Sequence, residues 1–389
     1  MPLAILILLS TWLYEAGGYA KEIATTIAIS RTPYAFKFLW SPIIDRLEIP
    51  FLYKIGRRKS WMLLTVTINV VIVFLFSQII PKDNFNTIYY LAFILGASSA
   101  SYDIAFDAFR IDSLSTEKQG YGVSCAIFGY RIGMLIVSSG ALYMAQDYGW
   151  SSSFIMLGAV LALGFVYLPL LIEPKHASRE HMSLEEKIQD SVVNPFLDFF
   201  KRNYSIIILL AVVLYKLGDV LLAGVANIYY LELGYEKKTI AQIAKFYGFG
   251  ATMLGVYLGA YATDKLGHLR GLVVCGVLQA LVNAIYIWLH YAPVTSNSLL
   301  IAITIENIGA GAGTVALTAY LSALCNKNYS ATQYALFSSL SAFLNSTIST
   351  KAGLMVKEFG WDYFFGLTVI LSFPALVIFL YLARKEVRV

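Results

Sequence analysis

Asp103 and Asp107 stand four residues apart in an otherwise apolar run, with Arg110 three residues on and Asp112 near its end. On a helix the two carboxylates share a face, and Arg110 follows one turn later. Arg131, in the next apolar run, lies about as far from the corresponding end, so a pair with Asp103 is geometrically open. Carboxylates beside basic groups in apolar surroundings can bind and release a proton; the plainer alternative is a structural ion-pair network joining two segments. A second set comes later. Lys216 and Asp219 are three apart and able to neutralise each other, while Glu306-Asn307 precedes Gly309-Ala-Gly-Ala-Gly313, small residues that allow close helix approach or local unwinding. Lys37, Lys245 and Lys351 lie close enough to the ends of their runs for snorkelling. Tyr14, Tyr130, Tyr215 and Tyr334 read either as packing or as the lining of a cavity for a sugar- or peptide-like ligand.

The elements that must position these groups are legible from composition. Of 389 residues, 58% are hydrophobic and 14% charged, against about 25% charged in a soluble domain. Apolar stretches long enough to cross roughly 30 Å of hydrocarbon follow one another, which excludes a soluble enzyme, a disordered chain and a disulfide scaffold. The expected spans are Pro2–Leu13, Ile23–Ile44, Trp61–Ile80, Ile88–Phe109, Tyr121–Ala145 and Ser152–Ile172, then Tyr204–Leu231, Ile240–Ala262, Gly271–Leu289, Ser298–Leu324, Ala331–Val356 and Tyr363–Leu382. The fold class is therefore an all-α polytopic membrane protein of twelve spans. The first span is incomplete, at about 18 Å, and an upstream start is expected. An ionisable group at membrane depth costs about 2.5–3.5 kcal/mol, so each charge above is a functional hypothesis except Asp112, which lies at the loop and reads as structural.

The loops after even-numbered spans and the C-terminal tail hold 18 Lys and Arg, and those after odd-numbered spans hold five. The positive-inside rule then puts both termini in the cytoplasm. The net charge of +5 is scattered over short loops, which argues against nucleic acid. Cys125, Cys275 and Cys325 lack metal spacing and read as packing residues, and four scattered histidines offer no metal cluster. No metal, cofactor or catalytic residue is expected.

Residues 1–173 and 204–389 form two six-span halves, joined by a polar stretch, 174–203. That stretch holds a capping-box pattern, Ser183-Leu-Glu-Glu186, and then Ile188, Val192, Phe196 and Phe199 at helical spacing, a short interfacial helix. The halves echo each other. Glu15 precedes Asp45 by 30 residues and Glu232 precedes Asp264 by 32; Tyr148-Gly-Trp150 recurs as Phe359-Gly-Trp361, 211 residues on. Two parallel repeats are able to rock about a midplane site. Asp45-Arg46, followed by Gly56-Arg57-Arg58, has its counterpart in Asp264 and Gly267 with Arg270. An acid at a helix end beside a basic turn makes ion pairs that hold one conformation closed, the bland alternative being topology alone.

Several of these segments together resemble the AmpG-type muropeptide permeases of the major facilitator superfamily. They are Pro33-Tyr-Ala-Phe-Lys-Phe-Leu-Trp-Ser-Pro42, Asp103-Ile-Ala-Phe-Asp-Ala-Phe-Arg110, Gly129-Tyr-Arg131, Tyr215-Lys-Leu-Gly-Asp219, Glu306-Asn307, and Leu324-Cys-Asn-Lys327 with Ser330-Ala-Thr-Gln333. The resemblance implies an importer in the bacterial inner membrane, driven by protons. Its substrate would be an amino-sugar peptide, N-acetylglucosaminyl-1,6-anhydro-N-acetylmuramyl peptide, brought to the cytoplasm for cell-wall recycling by a monomer in the lipid bilayer. Its position-specific charges fall on Asp103, Asp107, Arg131, Lys216, Asp219 and Glu306. Asn307, Tyr130, Tyr215 and Gln333 complete the expected substrate cavity. The alternatives are a transporter of a nucleotide or coenzyme A derivative, and a receptor or inactive paralogue.

Overall fold

The computed structural model describes residues 1–20, 23, 26–173, 193–348 and 351–385. Ser183–Glu186, Ile188 and Val192 lie outside them. Regular structure among the described residues is helical. In chain order the elements are α1 (Pro2–Glu15), α2 (Pro33–Phe36), α3 (Ser41–Arg46), α4 (Arg57–Gln78), α5 (Phe85–Ser113), α6 (Gln119–Leu135), α7 (Ala141–Ala162) and α8 (Gly164–Tyr167). They continue as α9 (Asn194–Phe200), α10 (Ser205–Glu232), α11 (Lys237–Ile240), α12 (Gly248–Leu266), α13 (His268–Tyr291), α14 (Ser296–Leu324), α15 (Ser330–Ile348) and α16 (Ala352–Arg384).

Six described helical stretches are long and apolar enough to cross a membrane: Arg57–Gln78, Thr116–Leu170, Ser205–Leu222, His268–Tyr291, Ser296–Leu324 and Ala352–Arg384. The other expected spans coincide with helices that are shorter, broken or more polar. α5 is 29 residues long but carries Asp103, Asp107, Arg110 and Asp112. The expected span Ile23–Ile44 is not one helix. It runs as a 3-10 segment Thr26–Arg31, then α2, then a 3-10 turn Lys37–Leu39, then α3. Pro33 and Pro42 stand at the starts of α2 and α3, where the missing N–H costs nothing but the preceding helix cannot continue. α12 is preceded by a π-helical turn, Ala241–Tyr247, a form that recurs at functional sites.

Contacts divide the chain into two compact units. One comprises 1–113, 128–197 and 326–339, the other 114–127, 198–325 and 340–389. Each therefore includes a short segment from beyond the linker. The core of the first gathers Leu9, Trp12, Val73, Phe76, Phe154 and Leu157, with Trp12 edge-on to Phe76 at 5.8 Å and to Phe154 at 4.8 Å. The second is built round Tyr229, Tyr230, Tyr286, Phe364 and Phe365. Where lipid surrounds the helices, such packing supplies the association energy that burial supplies in water. Outward-facing Leu281, Val377 and Ile370 are more than 60% exposed, an apolar surface suited to acyl chains.

The repeat is written into the backbone. Gly149 (φ 81°, ψ 163°) and Gly360 (φ 76°, ψ 170°) break α7 and α16 at equivalent points. Gly56 (φ 112°, ψ 147°) and Gly267 (φ 79°, ψ 163°) precede α4 and α13. Both pairs are 211 residues apart, and the conformation is essentially restricted to glycine.

Candidate functional site

The first unit holds two polar clusters. In one, Arg58 at the start of α4 is fully buried. Its guanidinium donates to Asp45 Oδ1 at 2.7 Å, Asp112 Oδ2 at 3.3 Å, Ser330 Oγ at 3.1 Å and the Ile44 carbonyl at 3.4 Å. Asp45, 1% exposed, also accepts from the backbone N–H of Ala331 (3.2 Å) and Thr332 (2.7 Å) and from the Thr332 hydroxyl (2.5 Å). Those N–H groups open α15, so a carboxylate sits at the positive end of a helix. Glu173 caps α4 in the same way, accepting from Arg58 N at 2.7 Å and Lys59 N at 3.2 Å, and Lys59 Nζ donates to the carbonyls of Pro169 and Leu171. Arg46 lies over the Tyr329 ring, 5.0 Å from its centroid.

Of the expected gate residues, Asp45 and Arg58 come together here; sequence reasoning gave Asp112 no part and named neither Ser330 nor Thr332 for this site. A Ser-Ala-Thr run opening a helix was the available signal. In the second unit, Asp264 stands 3.9 Å from Lys118, and His268 Nε2 meets the Thr116 carbonyl at 2.7 Å. Arg270 is exposed beyond Gly267.

The other first-unit cluster is on α5 and the broken segment beside it. Asp107 pairs with Arg110 at 3.4 Å, and Arg110 faces the Tyr334 ring at 5.5 Å. Asp103 does not pair with Arg131, which is exposed and makes no ion pair among the described residues. The basic group whose charge acts foremost on Asp103 is Lys37, with Tyr130 also within reach. Lys37 is 5% exposed, so it does not snorkel.

In the second unit, Lys216 Nζ donates to Asp219 Oδ2 at 3.2 Å and Thr314 Oγ1 at 2.9 Å, and the Gln279 amide donates to the same Asp219 oxygen. Lys216 and Asp219 remain about one-fifth exposed, a paired but accessible site. Glu306 Oε2 accepts from Tyr230 OH at 3.3 Å, and Tyr230 meets Tyr286 at 2.8 Å. Asn307 Oδ1 accepts from Thr252 at 2.6 Å. The small residues after Glu306 serve close approach, since Gly311 abuts the backbone of Thr252 and Val256.

Two residues expected to line a cavity are buried. Tyr215 is 4% exposed, with its ring against Phe379 and its hydroxyl donating to the Leu272 carbonyl at 3.4 Å. Gln333 is 2% exposed; its amide donates to the Pro195 carbonyl at 3.0 Å, and its oxygen accepts from Asn326 N at 2.8 Å. Both spend their polar atoms on backbone and face packed interior. Of the cysteines, Cys275 and Cys325 are buried and Cys125 is exposed.

Comparison with known proteins agrees with this architecture. Residues 5–350 match the model of the Major Facilitator Superfamily. A Rickettsia felis protein bearing the transporter name AmpG 4 is 43% identical over 390 aligned positions, covering 99% of this chain and 94% of that one. The anhydromuropeptide permease of Escherichia coli K12 is 34% identical over 349 positions, covering 89% and 70%. Among solved structures, the E. coli fucose:proton symporter FucP aligns with a TM-score of 0.70 at 13% identity, covering 99% and 97%. A bacterial homologue of the iron transporter ferroportin reaches 0.63 at 14%, covering 99% and 94%. These relatives are transporters rather than enzymes, and a multi-pass protein of this kind acts on a small molecule. The helical architecture, its repeat, and matches spanning nearly the whole chain place this protein in the major facilitator superfamily, among the AmpG-type permeases.

Proposed function

We propose that the chain imports anhydro-muropeptides across the bacterial inner membrane, coupled to protons, as a monomer with both termini in the cytoplasm. The observation that carries this reading is the 34% identity to the anhydromuropeptide permease of E. coli over 89% of the chain. The accessible charges support it: a disaccharide peptide presents amides, hydroxyls and carboxylates. Within one unit Lys216 offers a donor and Asp219 and Glu306 offer acceptors to such groups; within the other, Asp103 and Asp107 offer acceptors. Loss of charge on Asp103 or Asp107 would release a basic neighbour, which couples proton uptake to rearrangement. The Asp45–Arg58–Asp112 cluster is the latch in this scheme, and alternating access requires Asp45 to let go of the α15 N-terminus. Division at the linker into 1–173 and 204–389 gives the two rocking halves.

Competition binding separates this reading from the nucleotide and coenzyme A alternatives. The purified chain in nanodiscs is expected to bind a fluorescent anhydro-disaccharide peptide that unlabelled muropeptide displaces, whereas acetyl-coenzyme A and ADP do not. Displacement by either of these alone would move the substrate class to the alternative.

A further inference from the structure

In the scheme above Lys37 is only the basic neighbour of Asp103, and its surroundings are unusual for a buried cation. It lies on the 3-10 turn Lys37–Leu39, where the segment between α2 and α3 is broken. Among the described residues it makes no hydrogen bond and no ion pair. Interrupted membrane helices mark binding sites in transporters, because the break frees polar groups to face a cavity.

Two contacts set the register of this turn against α5. Tyr34 OH meets Ser99 Oγ, and Trp40 Nε1 donates to Ser101 Oγ at 3.0 Å. Further along, Asp45 and Asp112 share Arg58, so the two segments run in the same direction. Lys37 follows Tyr34 by one turn, and Asp103 follows Ser99 by one turn. Both charges therefore lie just beyond the Tyr34–Ser99 contact, on the same side of it, and Lys37 is the leading charge acting on Asp103. They do not close into a contact pair, and Asp103, like Lys37, has no hydrogen-bond partner among the described residues. The phenols of Tyr34 and Tyr130 lie within electrostatic reach of the same carboxylate.

A buried cation beside a half-buried carboxylate that it does not touch is costly unless something bridges them. We propose that Lys37 and Asp103 are the two ends of a ligand subsite. Lys37 receives a carboxylate, and Asp103 accepts an amide or hydroxyl hydrogen of the same ligand. The assignment rests on the muropeptide reading and names the part of that ligand held here: a free carboxylate of the peptide stem, with Tyr34 and Tyr130 flanking it. Arg131 is not required.

The test compares an anhydro-disaccharide peptide with its analogue amidated at every carboxyl, bound to the full chain in nanodiscs. The unsubstituted chain is expected to prefer the acid by about tenfold or more. Lys37→Gln should bring the acid down to the level of the amidated form, whose own affinity stays the same, and Lys37→Arg should keep the preference. A Lys37→Gln chain that keeps the full preference overturns the subsite, and so does an unsubstituted chain that does not distinguish acid from amide. That second comparison needs no variant, so it stands even if Lys37→Gln fails to fold. An unsubstituted chain that binds neither form overturns the muropeptide reading itself, and the subsite with it.

Discussion

Replacing Arg58 with methionine is expected to lower stability by about 3–5 kcal/mol, the range for removing one partner of a buried ion pair. The magnitude follows from what is left behind. Asp45 and Asp112 are 1% and 2% exposed in their pairs with Arg58, and methionine offers neither any donor. Asp45 retains the N–H groups of Ala331 and Thr332; Asp112 loses the guanidinium that holds its Oδ2. Lysine at position 58 should restore part of the loss, because it brings a charge but not the planar fork that reaches Asp45, Asp112 and Ser330 together. Thermal unfolding in detergent, with the yield of monodisperse protein, reads the series. The expected order is Arg above Lys above Met. A methionine variant as stable as the parent would show that the cluster is no structural keystone.

The second large effect is expected at Gly255. A methyl group there would be driven into the backbone of Ile308, at 2.7 Å from its Cα and 2.8 Å from its carbonyl carbon. Backbone has no rotamer to move, so α12 and α14 must separate. Gly255→Ala should cost at least the roughly 1–3 kcal/mol usual for overpacking. Gly250, on the same helix, has nothing within 4 Å of its added methyl. Gly250→Ala should therefore be neutral, or stabilise by up to about 1 kcal/mol through helix propensity. Opposite outcomes from one substitution, five residues apart, isolate helix approach from any general intolerance of alanine. Equal unfolding temperatures for the two variants would remove close packing as the reason for the glycine.

The two sites differ in how legible they were from residues alone. Spans such as α4 and α13 follow from uninterrupted apolar runs, since nothing else buries so many carbonyls in lipid. The Gly-Trp echo pointed to a repeat, and its glycines adopt the same rare backbone at Gly149 and Gly360. The break near Lys37 was hidden, because Pro33 and Pro42 sit in a run whose hydropathy alone reads as continuous. Asp112 was hidden for another reason. At a helix end it reads as solvated, and its partner Arg58 is 54 residues away, with no local signal to link them. Tyr215 and Gln333 show the converse. Their types suit a cavity, but which side of a helix faces the interior is set by packing against Phe379 and Pro195, and an all-round apolar helix does not disclose it.

Uptake of labelled anhydro-muropeptide into proteoliposomes, with and without an inward proton gradient, tests the central claim most directly. The account predicts accumulation above equilibrium that needs the gradient and collapses when an uncoupler dissipates it. Vesicles that contain folded protein yet take up no muropeptide under either condition would contradict it.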